Sequence, residues 1–173
     1  PNLEIRNCFK NDIQKRFDYV VKKDNLALNI ANSLLEGNVD FVQNKLGPLL
    51  RSFVSIRDTA TRAPHENFYH GFLNGIFTNC KDNLGEYHSN IEFGDGYPDI
   101  LLKDIDCRKV AIIELKSAPV GSDIETLSEK AISQINDKNY AEPLMSNKTV
   151  KDIYGYGIAF AGKSCFISVK KIK

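Results

Sequence analysis

Two neighbouring apolar segments with acidic residues at their ends constrain this chain more than any other feature. The first segment covers residues 99–103 and starts at Asp99, and the second covers residues 109–115 and leads into Glu114-Leu115-Lys116. Because side chains alternate between the two faces of a strand, Glu114 and Lys116 must lie on the same face. If the five residues between the segments form a turn, Asp99 comes from the neighbouring strand and lies beside them.

This arrangement predicts a small charged patch on an otherwise buried sheet. Two carboxylates, from Asp99 and Glu114, would converge there with the ammonium group of Lys116. Oxygen ligands of this kind suit a divalent metal, and a neighbouring cation can stabilise a developing oxyanion. The plainer alternative is that Glu114 and Lys116 form an ordinary ion pair on one face of a strand.

Composition places the chain among ordinary globular domains. Its 173 residues are 42% hydrophobic and carry a formal net charge of +1, so no overall basicity indicates a nucleic-acid binder. No apolar stretch approaches the roughly 18 residues of a membrane span, and no signal peptide is present, so we expect no membrane association and a cytoplasmic location. The four cysteines form no CxxC pair, which argues against a zinc knuckle. Since the chain begins with Pro1, we expect a fragment of a longer protein.

Residues 1–60 predict a helical N-terminal segment that serves as a packing unit or adapter. Apolar residues recur there at spacings of three and four, and a helix over residues 26–35 is expected to stop at Gly37. Gly47-Pro48 is expected to interrupt the next helix, and residues 57–64 read as a polar linker.

Residues 61–173 predict an α/β core, a mixed central sheet flanked by helices. An amphipathic helix over residues 66–80 would place Glu66 and His70, which are four positions apart, on one edge of its apolar stripe. A second helix is expected over residues 124–140. The predicted strands cover residues 89–93, 99–103, 109–115, 153–160 and 164–169.

Two polar residues interrupt the apolar face of the second helix. Gln134 and Lys138 fall within or beside the arc formed by Ile124, Ala131 and Ile135. A buried polar group without a partner costs about 1–3 kcal/mol, so both residues need partners. Lys138 could extend past the sheet edge to water, or both could reach the patch of Asp99, Glu114 and Lys116; we favour the second alternative.

The pattern of Pro98-Asp99 followed by Glu114-Leu115-Lys116 resembles the signature of the PD-(D/E)XK nuclease superfamily. Gln134 and Tyr140 resemble the glutamine-tyrosine motif of its RecB-like members, with five intervening residues instead of three. The resemblance implies a restriction-endonuclease-like core.

The resemblance also implies a metal-dependent nuclease and a role for each site residue. Asp99, Glu114 and the carbonyl of Leu115 would bind Mg²⁺ or Mn²⁺, with Glu66 completing the shell directly or through water. Lys116 would orient the attacking water or stabilise the charge on phosphorus. The remaining residues would contact the phosphate or support the ligands: Gln134, Lys138, His70 and Tyr140.

A narrower resemblance covers most of the chain. The sequence is similar to the C-terminal nuclease-like domain of proteins with an N-terminal AAA-ATPase-like region, in segments that include Pro1–Arg6, Glu66–Gly71, Gly96–Asp99 and Gly157–Phe160. It implies two partners, nucleic acid (DNA in preference to RNA) and the ATPase region of a longer parent chain. Tyr97 departs from that family, in which an arginine usually follows this glycine.

A hypothesis from another class stays open beside the enzyme. The chain could be a nuclease-fold module that has lost its chemistry and binds a partner protein. His65 and His70 could also suggest zinc, but no third ligand is apparent in the sequence, so we interpret His70 as a supporting hydrogen-bonding residue.

Overall fold

The protein is described by a computed structural model over residues 3–54, 65–92 and 94–173, in which a group of helices precedes three strands, and two further helices precede the last two strands. The helices are α1 Leu3–Lys22, α2 Leu26–Leu35, α3 Val39–Phe53, α4 His65–Thr78, α5 Ile124–Asp137 and α6 Glu142–Met145. The strands are β1 Glu86–Ser89, β2 Ile100–Lys103, β3 Lys109–Ser117, β4 Asp152–Ala161 and β5 Ser164–Lys171.

The five strands form one mixed sheet in the order β1-β2-β3-β4-β5. Strands β1, β2 and β3 are antiparallel neighbours, β3 and β4 are parallel, and β4 and β5 are antiparallel. The parallel pair needs a crossover, which α5 and α6 provide. Ile100 pairs with Ile113 at the end of β2, and this register determines which residues meet at the edge of the sheet.

Alternation along the strands divides the apolar residues between two cores. On one face, Ile113 and Leu115 of β3 pack with residues from α2, α3 and α4. On the other face, Val110 and Ile112 pack with α5 and α6. Glu114 follows the parity of Val110 and Ile112, so its side chain lies on the α5 face.

The helices α2 and α3 are joined to the sheet by hydrogen bonds as well as by apolar packing. The hydroxyl of Tyr156 in β4 donates to the carbonyl of Leu34 in α2 at 2.7 Å. The side-chain amide of Gln43 in α3 donates to the carbonyl of Cys165 in β5, also at 2.7 Å. Both contacts join residues 122 positions apart in the chain.

The predicted α/β architecture, a mixed sheet flanked by helices with a helical N-terminal segment, is confirmed, with two local corrections. Helix α3 continues through Gly47-Pro48, where an interruption was expected, because Leu46, Leu49 and Leu50 are buried and hold both sides of the proline against the core. The first strand ends at Ser89 and does not reach residue 93, since Asn90 adopts a left-handed conformation with φ 53°.

Two expectations, the linker at residues 57–64 and the division of the chain at residue 60, are not tested by the fold. The predicted linker at 57–64 and Pro1-Asn2 lie outside the described residues. The division of the chain at residue 60 stays a prediction. Within the described ranges, no helix is both long and apolar enough to cross a membrane.

Candidate active site

Asp99 lies directly before β2 and is held by the neighbouring strand. Continuing the pairing of Ile100 with Ile113 by one residue puts Asp99 opposite Glu114, on the α5 face of the sheet. One carboxylate oxygen of Asp99, Oδ2, accepts a hydrogen bond of 2.7 Å from the amide of Leu115. The structure therefore brings Asp99, Glu114 and Lys116 to one face, as the alternation of side chains predicts.

Glu114 is the most buried charged residue of the site, with only 3% of its surface exposed. Its Oε1 accepts a 2.9 Å hydrogen bond from Lys116 Nζ and a second, short hydrogen bond from Gln134 Nε2. Its other oxygen, Oε2, is buried and has no hydrogen-bond partner among the residues that the structure describes. Since buried polar atoms are almost always paired, this oxygen is a position where a ligand can bind.

Gln134 reaches Glu114 because α5 packs very close to β4. Gly157 lies opposite Glu114 in the parallel ladder, and a Cβ atom at this position would come within 2.0 Å of the carbonyl oxygen of Ser128. The missing side chain lets the helix backbone approach the strand. The hydroxyl of Ser128 bonds to that of Ser168 in β5 at 2.6 Å, which fixes the helix on the sheet.

Lys138 is not brought to this patch, although we favoured that alternative. Helix α5 ends at Asp137, and Asn139 then adopts a left-handed conformation with φ 52°. The helical wheel therefore no longer describes residue 138, and the Lys138 side chain is exposed. Tyr140 is buried, and its hydroxyl donates to the carbonyl of Tyr97 at 3.2 Å, so it holds the chain just before Asp99.

Helix α4 reaches the site from the other face of the sheet. His70 Nε2 lies 3.0 Å from the carbonyl oxygen of Asp99 and 3.0 Å from Ser89 Oγ. Glu66, one turn earlier, is half-buried and interacts electrostatically with Asp99, Lys116 and His70. Glu66 and His70 thus lie at the edge of the site, where the sequence placed them. The side chain of His65 lies outside the described residues.

The sequence did not predict a series of hydrogen bonds that runs from His70 through Ser89 and Asn74 to Tyr87. Asn74 Nδ2 donates to Ser89 Oγ at 3.1 Å, and the hydroxyl of Tyr87 makes a short hydrogen bond to Asn74 Oδ1. The only sequence signal is that Asn74 follows His70 by four residues and therefore lies on the same side of α4. The partners Ser89 and Tyr87 become visible only when β1 is placed beside β2.

Burial raises the pKa of all three carboxyl groups, and the charge of Asp99 adds to this shift at Glu114 and Glu66. Burial, assisted by the charge of Asp99, raises the pKa of Glu114 from 4.5 to about 7, although Lys116 opposes this shift. Burial also raises the pKa of Asp99 and of Glu66. For Lys116, burial lowers the pKa, but the hydrogen bond to Glu114 and the surrounding carboxylates outweigh it and raise the pKa. The patch carries more negative charge than one lysine balances, which favours a bound cation.

The backbone adds one more oxygen to the donor set. The amide of Leu115 points towards β2, and the carbonyl of the same residue faces the same neighbour in an antiparallel ladder. The pairing of β2 with β3 ends at Ile100 and Ile113, so Leu115 lies two residues past the last paired position, and Pro98 on the other side has no N–H to donate. The carbonyl oxygen of Leu115 is therefore left without a backbone donor from that position.

The donor set fits a hard divalent cation better than zinc. Across the described parts of the chain, no group of three or more His, Cys, Asp or Glu side chains is placed to hold a metal ion. Mg²⁺ is commonly bound through one or two carboxylates and keeps several waters, so Asp99, Glu114 and the Leu115 carbonyl suffice. Glu66 would then act through water, and its direct coordination stays a prediction.

Comparison with known proteins agrees with this geometry. Among curated proteins, none matches the chain significantly. The family model of the PD-(D/E)XK nuclease superfamily matches residues 64–170, which include α4, strands β1 to β4, β5 except its last residue, and every residue of the site. The match spans more than half of the chain, and it coincides with the acid, acid and lysine found on one sheet face. The chain therefore belongs to the PD-(D/E)XK nuclease superfamily.

Proposed function

We propose that this protein is a nuclease that depends on Mg²⁺ or Mn²⁺ and hydrolyses phosphodiester bonds, in DNA rather than RNA. One observation carries the proposal: the buried Oε2 of Glu114, which has no hydrogen-bond partner among the described residues, lies on the same face as Asp99 and Lys116. Without a cation such a set is unfavourable, since the charge of Asp99 raises the pKa of both Glu114 and Glu66. Association with an ATPase region of a longer parent chain remains a further proposal.

Each residue has a task that follows from its contacts. Asp99, Glu114 and the Leu115 carbonyl would hold the cation, and Gln134 keeps the Glu114 carboxylate in place through Oε1. A bound divalent cation would polarise the phosphodiester and make a coordinated water more acidic. Lys116 directs its ammonium group into the site and stabilises negative charge as it develops on phosphorus. His70 holds the main chain of Asp99.

Calorimetric titration with Mn²⁺, followed by cleavage assays on DNA and RNA, tests the proposal. We expect Mn²⁺ to bind at millimolar concentration or below, and DNA to be cut only when the cation is present. If the wild-type protein binds no divalent metal and cleaves neither polymer, the proposal fails. The alternative of a nuclease-fold module that binds a partner protein then replaces it.

Replacement of Lys116 by Ala is expected to separate cation binding from turnover. Mn²⁺ should still bind, because Lys116 is not a ligand, whereas kcat should fall about 100-fold or more as charge stabilisation is lost. Lys109→Ala is the matched control, since Lys109 lies at the opposite end of β3 and pairs with Glu36 at the surface at 3.2 Å. Equal activity of the two variants would remove Lys116 from the mechanism.

The affinity for Mn²⁺ is expected to rise with pH through neutrality. Burial raises the pKa of Glu114 to about 7, so below that pH a proton competes with the cation for the carboxylate. Between pH 6 and pH 8 the affinity measured by calorimetry should increase about tenfold. An affinity that stays constant over this range would show that Glu114 does not bind the cation.

A further inference from the structure

Tyr97 presents an exposed aromatic ring two residues before Asp99. Its side chain is 58% exposed, although Pro98 beside it is buried and Gly96 packs against the ring of Tyr140. The ring belongs to neither hydrophobic core, so the fold does not need it for packing. Its place next to a proposed cation ligand makes it a candidate for substrate contact.

The loop that carries Tyr97 is fixed to the end of α5. The amide of Asp95 donates to the carbonyl of Lys138 at 2.9 Å, and Asn139 Nδ2 donates to Asp95 Oδ2 at 2.8 Å. The hydroxyl of Tyr140 holds the carbonyl of Tyr97 itself. Because these contacts fix the backbone in advance, a ligand that meets the ring does not have to order the loop.

The close packing of Gly94 also keeps the loop in place. Gly94 has a left-handed φ of 61°, and a Cβ atom there would come within 2.4 Å of the carbonyl oxygen of Asn139. Glycine is therefore required for the loop to approach α5 this closely. The loop is thus held at Gly94, Asp95, Gly96 and Tyr97, while the ring of Tyr97 remains free to contact a ligand.

We propose that Tyr97 is a stacking platform for an unpaired nucleobase adjacent to the cleaved phosphate. The choice of nucleic acid as ligand rests on the proposed nuclease function, which this inference extends to a substrate class: strands with a single-stranded segment at the site. In a duplex the faces of the bases are covered by their neighbours, whereas an unpaired base offers its face to an aromatic ring.

The proposal is tested by measuring DNA binding with fluorescence anisotropy. Every protein in the test carries Glu114→Gln, so that the DNA is not cleaved during the measurement. The probes are a fluorescein-labelled DNA single strand of about 20 nucleotides and the same strand annealed to its complement. Tyr97→Ala should weaken binding of the single strand at least about fivefold and leave duplex binding within about twofold. Tyr97→Phe, which keeps the ring, should bind both probes like the parent. Tyr19→Ala is the matched control, because Tyr19 in α1 is 69% exposed and lies outside the site.

The outcomes distinguish this inference from the nuclease proposal. Equal losses on both probes, or no loss on either, would overturn the stacking platform even if the wild-type protein cleaves DNA. If the wild-type protein binds no Mn²⁺ and cleaves nothing, but single-strand binding still depends on the Tyr97 ring, the nuclease proposal fails and the platform stands. Failure of the parent protein to bind the single strand would overturn the platform.

Discussion

Replacement of Glu114 by Gln is expected to abolish Mn²⁺ binding and cleavage while leaving the metal-free protein as stable as the wild type or more stable at pH 8. Gln can keep the hydrogen bonds at the Oε1 position from Lys116 and Gln134, and it removes a buried charge. Ionised Glu114 destabilises the fold, because its pKa is about 7 in the folded protein and 4.5 when unperturbed. The cost is about 3 kcal/mol when the carboxylate is fully ionised.

Because of Glu114, the stability of the metal-free protein should fall as the pH rises. The contribution of protonated Glu114 to folding is complete below about pH 4.5 and is lost as the pH rises through about 7. Urea denaturation at several pH values should therefore show the metal-free wild type losing stability relative to Glu114→Gln as the pH increases. Mn²⁺ should restore stability to the wild type and not to the variant. A wild type that becomes more stable than the variant with rising pH would contradict the raised pKa.

Replacement of Gly157 by Ala is expected to be among the most destabilising single-methyl changes in the protein. The new Cβ would come within 2.0 Å of the carbonyl oxygen of Ser128 and 2.9 Å of the Cβ atom of Ala131. Neither a helix backbone nor a buried alanine can move aside alone, so α5 must shift away from the sheet. We expect a loss of about 3 kcal/mol in the free energy of unfolding, or about 10 °C in Tm. Since Gln134 moves with α5, cation affinity should fall as well.

Gly71→Ala is the control for this substitution. Gly71 is exposed in α4, and an added Cβ would meet none of the described atoms within 4 Å. Alanine favours a helix interior over glycine by up to about 1 kcal/mol, so this variant should be slightly more stable than the wild type. A Gly157→Ala protein with unchanged Tm and cation affinity would show that the close approach of α5 is not needed.

The arrangement of the sheet residues could be read from the sequence because it depends on local rules. Alternation along β3 places Glu114 and Lys116 on one face whatever surrounds the strand, and a five-residue connection forces β2 to be antiparallel. The polar residue Gln134 on an apolar helix face signalled a buried partner, and the structure places Glu114 there. Each inference needed only the spacing of residues within one or two elements.

The features of the structure that the sequence did not predict depend on tertiary contacts. Pro48 normally interrupts a helix, but burial of Leu49 and Leu50 keeps α3 continuous, and such packing cannot be read from local propensity. The helical wheel wrongly placed Lys138 on the apolar face, because α5 ends at Asp137 and the left-handed Asn139 follows. The pairing of Asn74 with Ser89 required the position of β1, whose predicted boundaries were wrong.

The two hydrogen bonds from the sheet to α2 and α3 have a consequence for how the protein unfolds. The hydroxyl of Tyr156, which is fully buried, donates to the carbonyl of Leu34. The carbonyl of Cys165 accepts from the side-chain amide of Gln43. Detaching the helices would exchange these hydrogen bonds for bonds to water, at a net cost of about 0.5–1.5 kcal/mol each, in addition to uncovering the apolar side of β4. The helices and the sheet therefore cannot melt separately at low cost. Hydrogen exchange of the Glu114 and Leu115 amides should report on the attachment of α2 and α3, which contribute no side chain to the site.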